Sequence, residues 1–71
     1  MPEGKASEFQ RVARGLGFSP VRQTGSHQRW RHTDGRATTI PIHPSATITP
    51  PLFYIILRQL GISEDDFNRL K

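Results

Sequence analysis

Thr33-Asp34-Gly35 separates two runs of alternating polar and apolar residues, and this short break constrains the fold more than any other stretch. The runs, Ser26–His32 and Arg36–Ile42, read as two antiparallel strands joined by a hairpin. A two-residue Asp-Gly turn sets Ile40 opposite Arg29. A three-residue loop with Gly35 left-handed at a bulge sets Ile40 opposite Gln28 and Thr38 opposite Trp30. Side chains alternate strictly between the two faces of a strand. Only the second arrangement therefore collects Trp30, Ile40 and Ile42 on one face. The same arithmetic gathers His27, Arg29 and Arg31 on the other. Pro41 has no backbone N–H to donate, which puts its strand at an edge of the sheet.

The rest of the chain supplies layers for this hairpin. Residues 1–5 read as a frayed end. Phe9, Val12, Ala13 and Leu16 recur at helical spacing over 6–16, with Ser7 as the expected N-cap and Gly15 and Gly17 closing the helix. Phe18–Thr24 reads as a strand. Phe18 and Val21 cannot share a face of a regular strand, so a bulge or a late start near Val21 is expected. Residues 44–51, with three prolines, read as a loop, with Thr49 capping the next helix and Pro50 in its first turn. Residues 52–60 are apolar nearly all round, Phe53 and Tyr54 included. That predicts the most buried element, packed on both the sheet and the first helix. Gly61 ends it. Ser63 then caps a last short helix with acids in its first turn, tied down by Phe67 and Leu70. The order α-β-β-β-α-α over 1–71 predicts a single α+β domain, a three-stranded antiparallel sheet with helices on one face.

The open face carries the chemistry. Cysteine is absent, so neither a disulfide scaffold nor a cysteine zinc site is available. No apolar run approaches the roughly 20 residues of a membrane span, and the first five residues lack the apolar stretch of a signal peptide. A cytoplasmic protein is the expectation. Between Ser19 and Ser45, four arginines stand against one acid, Asp34, so this segment carries +3 of the chain's net +4. Such a face favours a polyanion, nucleic acid first. His27 follows Gly25-Ser26 directly and shares its face with Arg29 and Arg31, which pairs a group able to exchange protons near neutrality with groups able to hold phosphate. His43 falls diagonally from His27 across the hairpin, roughly 7–8 Å away. For a metal held by His27 and His43 no third ligand can be named, and His32, on the Trp30 side, reads as structural or merely exposed.

Four segments together resemble one family. Arg22-Gln23-Thr24-Gly25-Ser26-His27, His32-Thr33-Asp34-Gly35-Arg36, Ile40-Pro41-Ile42-His43-Pro44 and Ile56-Leu57-Arg58-Gln59-Leu60-Gly61-Ile62-Ser63 occur in the order found in HicA toxins. The resemblance runs from about Phe9 to Leu70. It implies a fold like that of double-stranded-RNA-binding domains and a type II toxin that cleaves mRNA, held in check by a HicB antitoxin. It also implies that His27, the histidine of the Gly-Ser-His motif, is the catalytic residue. On this reading Ser26, Arg29, Arg31 and His43 contact RNA and no metal or cofactor is needed. Thr24 stands where the family often has lysine, Gln28 where many members have a second histidine, and Ser45-Ala46 where Gly-Lys is common. A non-catalytic RNA-binding module of the same fold is the alternative.

Overall fold

In the computed structural model, which describes residues 2–71, Gly35 adopts φ +100° at the end of a three-residue loop. The loop is closed by the Gly35 N–H donating to the His32 carbonyl at 3.0 Å and the His32 N–H donating to the Arg36 carbonyl at 2.8 Å. In chain order the elements are β1 (Gly4–Lys5), α1 (Ala6–Gly15), β2 (Ser19–Thr24), β3 (His27–Arg31), β4 (Ala37–Pro41), β5 (Thr47–Ile48), α2 (Leu52–Leu60) and α3 (Glu64–Leu70). The main sheet is antiparallel in the order β2-β3-β4, so β4 is an edge, as Pro41 requires. Gln28 pairs with Ile40, Trp30 with Thr38 and His27 with Pro41, the register of the three-residue loop. All three helices lie on one side of this sheet, and the α+β order is the one expected.

Trp30, Ile40 and Phe18 are buried beneath α1 and α2. The Arg14 guanidinium covers the Trp30 ring at 5.1 Å, while the buried indole N–H meets no acceptor among the described residues. Phe9, Phe53 and Phe67 are the part of this same core where the three helices meet. β4 is tied to both long helices by polar contacts. The Thr38 hydroxyl donates to Gln59 Oε1 at 2.7 Å, and Gln10 Nε2 donates to the Pro41 carbonyl at 2.9 Å. These bonds fix the sheet against its helical layer and leave the other face free.

Several expectations are corrected. Residues 4–5 are not frayed: Gly4 pairs with Ile48 and Lys5 with Thr47, making a second, two-stranded sheet inside what reads as a terminus and a loop. This pairing also displaces the Ser7 cap. Segment 44–46 brings its carbonyls to the start of α1, where Ala46 accepts from the Ala6 N–H and Pro44 from the Ser7 N–H. Lys5 is the N-cap residue, and its N–H donates to the Glu8 carboxylate. α2 likewise takes no cap from Thr49: it starts after Pro51, and neither Pro50 nor Pro51 has an N–H to satisfy. Only one stripe of α2 is buried, Phe53, Ile56, Leu57 and Leu60. Leu52, Tyr54 and Ile55 stay exposed, because a single layer of helices on a three-stranded sheet covers one side of α2. Ile42 is half-buried, since β4 ends at Pro41. The Ser63 cap of α3 is present, with Asp66 reciprocating; the Ser63 N–H bonded to it holds the Asp66 carboxyl below the usual range.

Arg36 latches the hairpin loop to the helical layer. Its Nε donates to Asp34 at 2.7 Å, its Nη1 donates to the Leu60 carbonyl at 2.6 Å, and its guanidinium lies 5.2 Å over Phe18. A cation is favoured at this C-terminal end of α2. Arg36→Ala should cost about 1.5 kcal/mol, the low end for a hydrogen bond to a charged group. That corresponds to a fall in Tm of roughly 6–12 °C for a domain of this size. A thermal melt within about 2 °C of wild type would show that the latch contributes nothing to stability.

Candidate functional site

The open face begins at the turn between β2 and β3. Thr24 pairs with His27, leaving Gly25 and Ser26 as a two-residue connection. Gly25 has φ +59° and Ser26 does not have a positive φ. This is the signature of a type II′ turn, whose twist matches paired strands and whose first central position favours glycine. Gly25-Ser26 thereby delivers His27 as the first residue of β3. The Ile42 N–H donating to the Ser26 carbonyl at 3.0 Å continues the pairing one step past β4.

β2 is not regular. It pairs Ser19 with Arg31 and Pro20 with Trp30, then Arg22 with Arg29, so Val21 is the extra residue of a bulge. Counted back from the Gly25-Ser26 turn, Arg22 opposes Arg29 and, with Thr24, joins His27 in the open. The extra residue shifts the faces of the residues before it, so that Pro20 rather than Val21 opposes Trp30 and Val21 is left 56% exposed. The bulge therefore resolves the Phe18–Val21 conflict by burying Phe18 and exposing Val21.

Arg22, Thr24, His27, Arg29 and Thr39 line a shallow pocket of about 170 Å³. Arg29 Nη1 donates to the Thr39 hydroxyl at 3.2 Å, which orients the guanidinium across the sheet. No acidic residue lines this pocket. Among the described residues, the arginines in ion pairs with carboxylates are Arg36 and Arg69, and Arg22, Arg29 and Arg31 have no such partner.

The other expected site residues lie around this pocket rather than in it. Arg31 is exposed on the same face but four residues along β3 from His27, roughly 13 Å at strand spacing. It lines a separate hollow of about 240 Å³ with Gly17, Ser19, Val21, His32 and Thr33. Ser26 is exposed in the turn, and His43 is exposed beyond the end of β4. His32 is packed edge-on to Phe18, with ring centroids 5.2 Å apart, and its Nδ1 accepts from the Asp34 N–H at 3.1 Å. Asp34 is in turn held below the usual carboxylate range, chiefly by the Arg36 N–H. His32 is thus part of the loop's framework. Among the described residues no three His, Asp or Glu side chains gather as a metal site would need, and no helix is long and apolar enough to cross a membrane.

Arg22, Thr24 and Thr39 are the pocket residues absent from the sequence-based expectation. The signal for Arg22 and Thr24 was the Gly25-Ser26 turn, which pairs them with Arg29 and His27. Together the pocket offers one imidazole, two guanidinium groups and two hydroxyls on an open surface. That set can bind an anion from one side and move a proton beside it.

The comparisons with known proteins bear on this arrangement. A family model described as "HicA toxin of bacterial toxin-antitoxin" matches residues 6–62, a span that holds the whole sheet and every residue of the pocket. No curated protein matches the chain.

Proposed function

The chain belongs to the HicA toxin family of bacterial toxin–antitoxin systems, which makes it a toxin with an antitoxin partner, and from that premise we propose that it is an endoribonuclease acting on mRNA in the cytoplasm through His27. The observation that carries this reading is the position of His27. It opens β3 in a pocket whose other lining groups are two arginines and two threonines, with His27 and both arginines exposed.

The chemistry follows from these groups. An imidazole at neutral pH can take the proton of an RNA 2′-hydroxyl. The 2′-oxygen then forms a bond to the adjacent phosphorus, and the bond from phosphorus to the 5′-oxygen breaks. The leaving oxygen takes up a proton from the His27 imidazolium, which returns to its neutral form. The products are a 2′,3′-cyclic phosphate end and a 5′-hydroxyl end, so the atom balance calls for neither a metal nor an added water. Arg29 holds the phosphate and stabilises charge developing on its oxygens. Arg31, Ser26 and His43 contact the RNA on either side. A HicB-like antitoxin that covers this face would block all of these contacts at once.

The purified chain, incubated with RNA in the presence of a metal chelator, should cut it and leave those two end groups, and DNA of the same sequence should stay intact. Cleavage of the DNA, or 5′-phosphate ends on the RNA, would rule out attack by the 2′-hydroxyl. Binding without cleavage would favour the non-catalytic module.

A further inference from the structure

We propose that Arg22 and Arg29 form a two-guanidinium clamp that holds a single RNA phosphate beside His27. The inference rests on the reading of RNA as the ligand of this face and assigns Arg22 a role within it.

The geometry is that of a directly opposed cross-strand pair. Arg22 stands opposite Arg29 in the β2–β3 ladder, with Thr24 opposite His27 one pair along the same face. Opposed residues have Cβ atoms about 4.5–5.5 Å apart, so two long side chains can reach a common anion. Like charges in this arrangement are destabilising, and among the described residues no carboxylate within ion-pair distance relieves them. A phosphate between the two guanidinium groups would relieve them and would take several charge-assisted hydrogen bonds from their planar forks.

The pair is set by the turn beside it. The Gly25-Ser26 connection puts Thr24 opposite His27, and counting back puts Arg22 opposite Arg29. The bulge then exposes the apolar Val21 and disrupts the ladder between Pro20 and Arg22, directly beside the pair. Bulges are over-represented beside functional sites. The bond from Arg29 to the Thr39 hydroxyl fixes one half of the clamp from the opposite strand. Arg31, opposite Ser19 and in a different hollow, is placed to hold another phosphate of the same strand.

Fluorescence anisotropy with a labelled single-stranded RNA oligonucleotide tests the clamp, with all variants built on His27→Ala so that the probe is not cut. Arg22→Ala and Arg29→Ala should each weaken binding about tenfold, as loss of a charged hydrogen bond does. Their combination should also lose little more than about tenfold, well short of the roughly hundredfold product, because both act on one phosphate. Arg22→Lys should recover only part of the loss, since an ammonium lacks the fork. Arg31→Ala should multiply with either. Arg58→Ala removes the same charge from α2, outside the site, and should leave affinity near that of the parent. Melting curves check that each variant is folded. Parent-like affinity for Arg22→Ala, a full product in the double variant, or an equal loss for Arg58→Ala would each overturn the clamp while leaving RNA binding established. A parent that binds no RNA would overturn the RNA reading and the clamp together.

Discussion

His27→Ala should abolish RNA cleavage in the test tube and toxicity in cells, while the domain stays folded and keeps its affinity for RNA. The folding part follows from where the side chain sits. His27 is exposed at the first position of β3, between Thr24 and Pro41, and no buried group relies on it. Exposed substitutions of this kind usually stay within about 0.5 kcal/mol of wild type. The catalytic part follows from the pocket, where His27 supplies the one imidazole among the lining groups, the side-chain type most used for proton transfer. Positioned proton transfer is typically worth about 10²–10⁴-fold in rate, so the residual activity should fall below what growth arrest requires. His43→Ala should cost less if His43 only orients RNA, and about as much if the two histidines act as an acid–base pair. Wild type and His27→Ala are to be compared on the same RNA, with melting temperature as the control for folding. Equal cleavage by both proteins would remove His27 from the mechanism.

What the sequence made legible, and what it hid, has a single physical boundary. Period-two alternation assigns faces correctly wherever pairing is regular. The β3–β4 hairpin could therefore be read to the residue, down to Gln28 opposite Ile40, from Trp30, the two isoleucines and a glycine able to take a positive φ. The Ser63 cap was equally legible, because a cap is a local pattern. Arg22 was not, because alternation counted from Phe18 puts it on the buried face, and only pairing counted back from the Gly25-Ser26 turn puts it opposite Arg29. The conflict between Phe18 and Val21 announced a bulge without locating its consequence. β1 and β5 were invisible for a related reason: strands of two residues carry no period, and their pairing is long-range. The outer stripe of α2 misled in the opposite direction. Leu52, Tyr54 and Ile55 are apolar enough to be core, yet the described residues form no second layer over them. The histidine and one arginine of the pocket were thus readable from β3 alone, and the other arginine required the fold.

Phe9→Ala should be among the most damaging single substitutions to stability. Phe9 is fully buried on α1. Its ring stacks on Phe67 with centroids 4.4 Å apart and meets Phe53 edge-on at 5.6 Å, so it joins all three helices. The β1–β5 pair closes over the same rings. A Cβ at Gly4 would stand 2.8 Å from the Phe67 ring and 3.0 Å from the Phe9 ring, which leaves room there for glycine alone. Truncation of a buried Phe costs about 3–5 kcal/mol through lost burial and the cavity left behind. At roughly 0.05–0.15 kcal/mol per residue, a domain of this length has only about 4–11 kcal/mol in total. The substitution therefore removes between a quarter and all of the stability. Urea unfolding followed by circular dichroism should show a lower midpoint with an unchanged slope, or no folded baseline at all. Ile55→Ala, on the uncovered stripe of α2, should stay within about 0.5 kcal/mol of wild type and serves as the matched control. A loss below about 1.5 kcal/mol for Phe9→Ala would mean that the three-helix cluster repacks around the gap and is not the keystone of the core. In cells Phe9→Ala and His27→Ala should both be non-toxic, and the melt separates them: the first fails because little of the chain is folded, the second while nearly all of it is.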